Sequence, residues 1–230
     1  MKVDKRKNYY MVLDVETANS TDDNQHNDGL VYDIGFVIVD KKGHIYAQRS
    51  FCIREIFDWV ELMQSAYYAN KRPIYYDYMK KKEMEKISIW EARERIKKAI
   101  EYFNIKEVYA YNAGFDYTTL NNTVRYLSGS GCRWFLPYGV QICDIWHIAC
   151  QVLGLQKTFQ NENIRSAKGN LITSAERMYA YMTQESEFEE SHTGLADAII
   201  ESEILARCLR THKHIDKKIY KGCWRIPQKN

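Results

Sequence analysis

The sequence predicts a mixed α/β sheet, opened by an antiparallel hairpin group, extended by parallel strands and flanked by helices. Three observations predict it. Residues 9–16 and 30–40 are near-continuous apolar runs, the mark of strands covered on both faces. Asp40-Lys41-Lys42-Gly43 is a short turn leading into a third strand over 44–51, so these two pair antiparallel. Beyond residue 53, helical periodicity alternates with short apolar segments, the pattern of strands joined by helical crossovers.

The elements follow in order. In 9–16, five apolar or aromatic residues precede Asp14. Residues 18–29, "ANSTDDNQHNDG", read as a polar surface loop. Ile53, Ile56, Phe57, Val60, Met63 and Tyr67 follow a helical stripe. Ser88 and Glu91 form a capping box for a helix whose apolar face is Ile89, Ala92, Ile96, Ala99, Ile100 and Phe103. A strand is predicted over 107–111, then a helix over 116–127 stopped by Gly129. Residues 139–144 read as a further strand, running into a helix capped by Gly154. Thr173 and Glu176 offer a second capping box, and a last long helix runs from about 194 to 210. No repeat or linker divides the 230 residues, so one domain is expected. It carries a Tyr/Lys-rich insert at 53–87 and a basic tail at 211–230.

Bulk composition excludes little. Hydrophobic residues are 45% and charged residues 27%, ordinary for a globular chain. No apolar run is long enough for a transmembrane helix, and "MKVDKRKNYY" lacks a signal-peptide core, so a cytoplasmic location is expected. A net charge of +3 does not by itself imply nucleic acid. The tail, with Arg210, Lys213, Lys217, Lys218, Lys221, Arg225 and Lys229, is either a phosphate-facing patch or a solvated end. Cys143, His147 and Cys150 fall at i, i+4 and i+7. On a helix they form one face, which suits a buried stripe or the start of a zinc site lacking a fourth ligand.

The informative residues are acidic. Asp14 and Glu16, at i and i+2 on a strand, point the same way. Two carboxylates about 4 Å apart at an effective dielectric near 20 repel by about 4 kcal/mol. Exposure, a shared proton or a cation relieves this. Asp116 follows the 107–111 strand, where a strand-to-helix turn presents side chains at the mouth of an open sheet. Asp197 lies in the first turn of the last helix, shortly after His192. Were the four to converge, they would form the hard oxygen nest that Mg²⁺ or Mn²⁺ requires. Two such ions ~3.5–4 Å apart serve phosphodiester cleavage, and His192 suits a general base for the attacking water.

"LDVETA" (13–18), "AYNAGFDYTTL" (110–120) and "HTGLADA" (192–198) resemble, in order and in kind, the signature segments of the DEDDh 3′-to-5′ exonucleases. That family includes polymerase proofreading subunits, ribonuclease T and oligoribonuclease. The resemblance covers most of 9–210 and thins over 53–100 and 155–170. It implies a ribonuclease H-like fold and removal of nucleotides from a 3′ end, with single-stranded DNA the expected substrate. It implies Asp14, Glu16, Asp116 and Asp197 as ligands of two Mg²⁺ or Mn²⁺ ions, and His192 as general base. A sister group places Tyr four residues before the last aspartate; Thr193 stands there, as in the histidine class. Thr17, Ala18, Asn112 and Phe115 match substrate-contacting positions. Ala18 stands where many members have Thr, and Gly194 where Ala is common.

The insert interleaves Tyr67, Tyr68, Tyr75, Tyr76 and Tyr78 with Lys71, Arg72, Lys80, Lys81 and Lys82. Such a mix suits stacking on single-stranded bases, and equally suits packing of tyrosines onto the sheet beneath solvated lysines. Three rival functions stand beside the main one: an exoribonuclease, a non-catalytic nucleic-acid-binding subunit of a replication or repair complex, and a zinc-stabilised module. No polymerase region is visible, so a proofreading role requires a separate polymerase partner.

Overall fold

The computed structural model describes residues 3–18, 29–66, 68–162, 165–185, 188–211 and 214–217. Most of the 18–29 loop, Tyr67, Lys213 and the tail from Lys218 onward lie outside the described residues.

Six strands form one sheet: β1 (Tyr10–Ala18), β2 (Leu30–Val39), β3 (Ile45–Ile53), β4 (Glu85–Ile87), β5 (Glu107–Ala110) and β6 (Gln141–Asp144). Their order is β4-β3-β2-β1-β5-β6. β2 is antiparallel to both β1 and β3, while β4, β5 and β6 pair parallel with their neighbours. Five strands therefore end at one edge of the sheet, and β1 delivers Asp14 and Glu16 there. All of β2 is buried, as its apolar run predicts.

The Asp40–Gly43 hairpin forms as expected. Gly43 supplies the left-handed φ of +87° that the turn needs, and its N–H donates to Asp40 O at 2.9 Å. The Asp40 carboxylate accepts from Lys42 N at 2.8 Å, His44 N at 3.3 Å and Tyr46 Oη at 2.9 Å.

Helices cover both faces. On one, α4 (Ile89–Phe103) and α5 (Ala113–Ser128) bury Ile96, Ile100, Leu120 and Val124 with Met11, Leu13 and Ile34. On the other, α9 (Gly194–Leu209) buries Ile204, Leu205 and Cys208 with Val12 and Val37. Of the first capping box the N-cap half forms: Ser88 Oγ accepts from Glu91 N at 3.1 Å, while the Glu91 carboxylate accepts from Arg95 Nη2 at 2.7 Å. The second is displaced by one residue. Ser174 caps α8 (Ala175–Thr183), whereas Thr173 Oγ1 accepts from Trp146 Nε1 at 2.8 Å.

Other expectations need correcting. α5 starts at Ala113, three residues early, because Asn112 takes a left-handed φ of 64° and turns the chain directly out of β5. The stripe after Ile53 breaks into α1 (Arg54–Phe57) and α2 (Val60–Gln64), with Val60 exposed. The rest of the insert holds a 3₁₀ turn over Ala69–Lys71, α3 (Arg72–Lys81) and the strand β4, too short for periodicity to reveal. Tyr75 is fully buried against Phe57, while Tyr76 is 52% exposed. The helix after β6 is α6 (Ile145–Ala149), continued by a π turn over Cys150–Gly154; α7 (Lys157–Glu162) follows. Gly154 therefore does not cap an α-helix. Cys143 sits on β6, His147 on α6 and Cys150 in the π turn, so they do not share one helical face. Among the described residues, the groupings with metal-binding geometry do not include them. None of the described helices is long and apolar enough to cross a membrane.

The turn carries a pH signature. Burial pushes the Asp40 carboxyl up, but the hydrogen bonds from Lys42, Tyr46 and His44 outweigh it and hold it at about 2, against an ordinary 3.8. A lowered folded value means the contribution is complete above about pH 4 and is lost as pH falls toward 2. We expect Asp40→Asn to cost about 1 kcal/mol at neutral pH, solvent screening included, and almost nothing near pH 2. Denaturant unfolding at both pH values checks this; equal losses at both would reject it.

Candidate active site

Asp14 is the fifth and Glu16 the seventh of the nine residues of β1, opposite Gly35 and Asp33 of β2 and past Val12, where the pairing with β5 stops. Past Glu16 the register slips, so Thr17 pairs with Val31. Asp116 lies in the first turn of α5. Its position follows from the turn before it: Phe115 N donates to Asn112 O at 2.8 Å, and Asn112 N donates to Asp144 Oδ1 at 3.2 Å. Asp144 also accepts from Trp146 N at 2.8 Å, capping α6 and tying the ends of β5 and β6 together.

Asp197 lies in the first turn of α9. Two glycines set how closely that helix meets the sheet. A Cβ on Gly35 would stand 2.0 Å from the carbonyl carbon of Gly194, and one on Gly194 would stand 2.6 Å from Gly35 N. Asp33 fastens the contact: its Oδ2 accepts from Gly194 N at 2.9 Å and from Tyr75 Oη at 2.9 Å. The departure from Ala at position 194 thus has a local cause, since the methyl group has no room.

His192 precedes α9 with a left-handed φ of 52°. Its ring stacks on Tyr68, centroids 4.5 Å apart and planes 15° apart. Lys71 Nζ lies 4.4 Å from the Tyr68 ring centre and donates to Ser191 O at 2.6 Å. Glu190 Oε2 stands 3.9 Å from His192 Nδ1.

These side chains meet in one cleft of about 500 Å³, lined by Asp14, Glu16, Asp116, His192 and Asp197 together with Asn112 and Phe115. Asp14, Glu16 and Asp197 offer oxygens within 4.8 Å of one another, and so do the ligand atoms of Glu190, His192 and Asp197. Thr17 and Ala18 are placed differently: both are buried, off the cleft wall, with Thr17 against Gly29.

Burial first, and then mutual repulsion, raises the acids. Burial, with Glu201, Asp116, Glu16 and Asp197 nearby, pushes Asp14 well above the carboxylate range. Glu16 rises to about 9 through burial, Asp33 and Asp197. Burial lifts Asp116 to about 8 against the pull of the Val15 backbone N–H. Burial and Glu190 lift Asp197 to about 7. Burial, then Lys71, lowers His192. Asp116 Oδ1, Asp197 Oδ1 and Glu190 Oε1 are buried without a hydrogen-bond partner among the described residues. Crowded carboxylates with orphaned oxygens fit a divalent cation, which would satisfy the oxygens and cancel the repulsion.

Residue patterns overlooked three acids. Glu201 lines the cleft one turn beyond Asp197 and accepts from Tyr111 N at 3.2 Å; the i,i+4 spacing could have found it. Asp33 was detectable as a carboxylate inside an apolar strand. Glu190 sits in an acidic stretch that carries no distinguishing signal.

No protein-family model matches the chain, and no curated protein matches it. Solved structures do. The nuclease domain of 3'hExo, a DEDDh family member bound to rAMP, aligns at TM-score 0.59 with 11% identity, covering 94% of this chain and all of that one. A full-length 3'-exonuclease aligns at 0.61 with 11% identity, covering 94% and 88%. Exonuclease I of E. coli with a dA16 oligonucleotide aligns at 0.51 with 14% identity, covering 86% of this chain and 40% of that one. At such identities the likeness establishes the fold: the mixed sheet flanked by helices is the ribonuclease H-like fold of DEDDh exonucleases.

The glycine contact is testable. Gly35→Ala should destabilise the protein by about 2 kcal/mol or more, because backbone must move to admit the methyl group. Thermal and denaturant unfolding measure this; wild-type stability would show that α9 has slack against β2.

Proposed function

We propose that the chain is a divalent-metal-dependent 3′-to-5′ exonuclease. The observation that carries the reading is the meeting of Asp14, Glu16, Asp116, Asp197 and His192 in one cleft, where Asp116 Oδ1, Asp197 Oδ1 and Glu190 Oε1 lack hydrogen-bond partners among the described residues. A strand that merely emerged into solvent would leave its acids hydrated, not crowded beside acids from two other elements.

In this reading Asp14, Glu16, Asp116 and Asp197 hold the cations. Two Mg²⁺ or Mn²⁺ ions, when bound, supply Lewis-acid stabilisation of the attacking and leaving oxygens. The other roles belong to side chains. His192 takes the proton of the attacking water on a ring nitrogen, and its lowered basicity keeps the ring neutral and ready beforehand. Tyr68 and Lys71 hold the ring in place by stacking and by fixing Ser191. Glu190, beside Nδ1, stabilises the imidazolium that forms. Phe115 offers a ring to the terminal base, and Asn112 a polar edge. Thr17 and Ala18, being buried, support the strand end instead.

Single-stranded DNA is the expected substrate, in line with the oligonucleotide complexes of exonuclease I. A second reading, an exoribonuclease, is favoured by the rAMP-bound 3'hExo nuclease domain. Degradation of end-labelled single-stranded DNA, duplex DNA and RNA, with Mg²⁺, Mn²⁺ or chelator, decides between them.

Two outcomes are expected. Asp14→Ala and His192→Ala each lower the rate of 3′-end trimming by at least about a hundredfold while far-UV circular dichroism is unchanged. Near-normal trimming by either variant would sink the assignment. The second concerns stability. Carboxyls raised to about 9, 8 and 7 favour the protonated fold, so without cation the fold loses stability as pH climbs from about 4 to about 9. A cation takes the place of those protons. Added Mg²⁺ should therefore raise the Tm more at about pH 8.5 than at about pH 6. A pH-independent response would contradict this.

A further inference from the structure

The loop between α5 and β6 carries an aromatic and cationic surface that the cleft chemistry does not use. Trp134 is 52% exposed, and Tyr138 is fully exposed at 107%. The Arg125 guanidinium lies 4.5 Å from the centre of the Trp134 ring, and that of Arg133 lies 5.6 Å from the Trp90 ring. Trp134 also stacks on Tyr117, 6.2 Å between centroids and 20° between planes. Arg93 Nε donates to Trp134 O at 3.0 Å, and Arg125 Nε donates to Arg133 O at 3.0 Å. A concavity of about 440 Å³ lies between Arg93, Arg133, Trp134 and Tyr138, with no carboxylate in its lining. Among the described residues, Glu94 is the acid paired with these arginines, 3.4 Å from Arg93.

The strand β6 starts at the opposite edge of the sheet, so Tyr138, three residues before it, lies toward that edge, while contacts with Tyr117 and Trp90 draw Trp134 and Arg133 toward the edge where the cleft opens. β4 and β5 run in the same direction as β1, so α4 and α5 both begin at that edge. Trp90 is the second residue of α4, and Tyr117 follows Asp116. Farther along α5, Thr123 Oγ1 accepts from Val31 N at 2.9 Å, at the start of β2, which keeps the helix along the same edge.

We propose that this surface binds a single strand of nucleic acid a few nucleotides upstream of the 3′ end held in the cleft. The inference rests on the nuclease reading. Arg93, Arg125 and Arg133 take the phosphates, and Trp134 and Tyr138 stack on bases. The chemistry fits. Arg125, fixed through Nε to the Arg133 carbonyl, keeps its terminal N–H groups for a phosphate. Arg93, fixed through Nε to Trp134 O, gives one terminal N–H to Glu94 and keeps the other terminal nitrogen for a phosphate. Rings exposed on an otherwise charged surface are stacking platforms, which tolerate any base. The surrounding charge is positive, the complement of a phosphate backbone.

Fluorescence anisotropy on the 230-residue chain in chelator, where no strand is cut, tests it. The probes are labelled single strands of three nucleotides and of about twelve. Wild type should bind the longer strand at least about tenfold more tightly. Trp134→Ala combined with Tyr138→Ala should remove about tenfold of that affinity and leave the trinucleotide unaffected. Arg133→Ala should weaken the longer strand and lower the salt dependence of its binding by about one counterion. Because these side chains are exposed, unchanged thermal unfolding will confirm folded variants. Equal affinity for both lengths, or variants that bind the longer strand like wild type, overturns the inference; the latter would assign the surface to a protein partner. Length-dependent binding lost in the variants of a protein that trims no 3′ end would support the surface and reject the nuclease reading instead.

Discussion

The contact of Gly35 of β2 with Gly194 of α9, too tight to admit a Cβ on either residue, sets the geometry on which the cleft depends. A helix meeting a sheet through side chains would stand several ångströms farther off. Here bare backbone meets bare backbone, and the Asp33 carboxylate fastens the join through Gly194 N. One turn later the helix presents Asp197, and a further turn on, Glu201, toward the acids of β1. The spacing of these carboxylates is thus set by two residues that have no side chains.

That spacing opposes electrostatics. Asp14, Glu16, Asp116, Asp197 and Glu201 are pressed together under conditions that raise the affinity of each for a proton. The scaffold holds them regardless. β1 is hydrogen-bonded on both sides, Asn112 is tied to Asp144, and α9 is clamped on Asp33. A site that repels itself yet cannot relax stores a preference for positive charge, which divalent cations satisfy better than protons near neutrality.

The insert serves this site more directly than its composition suggests. Tyr75 is fully buried and donates to the same Asp33 oxygen that receives Gly194 N, while Tyr68 and Lys71 hold the His192 segment. Two meanings of its tyrosines, packing and surface display, are divided among individual residues: Tyr75 packs and Tyr76 is exposed. Composition could not make that division, because both environments accept the same ring.

By itself the sequence determined the long strands, the hairpin at Gly43, the Ser88 cap, the helix of α9 and the identity of five residues that line one cleft. Each of these is written locally, in apolar runs, turn residues and spaced acids. The tertiary structure alone decided the rest. β4, three residues long, exists because β3 offers it an edge. Ser174 caps α8 because Thr173 is engaged by Trp146. Thr17 and Ala18 turn inward where the register slips after Glu16. Glu190 and Glu201 join the cleft from loop and helix, while Asp33, buried on β2, clamps the start of α9 behind it. Their roles depend on which groups distant in the chain come to face them, and spacing along the chain carries no record of that.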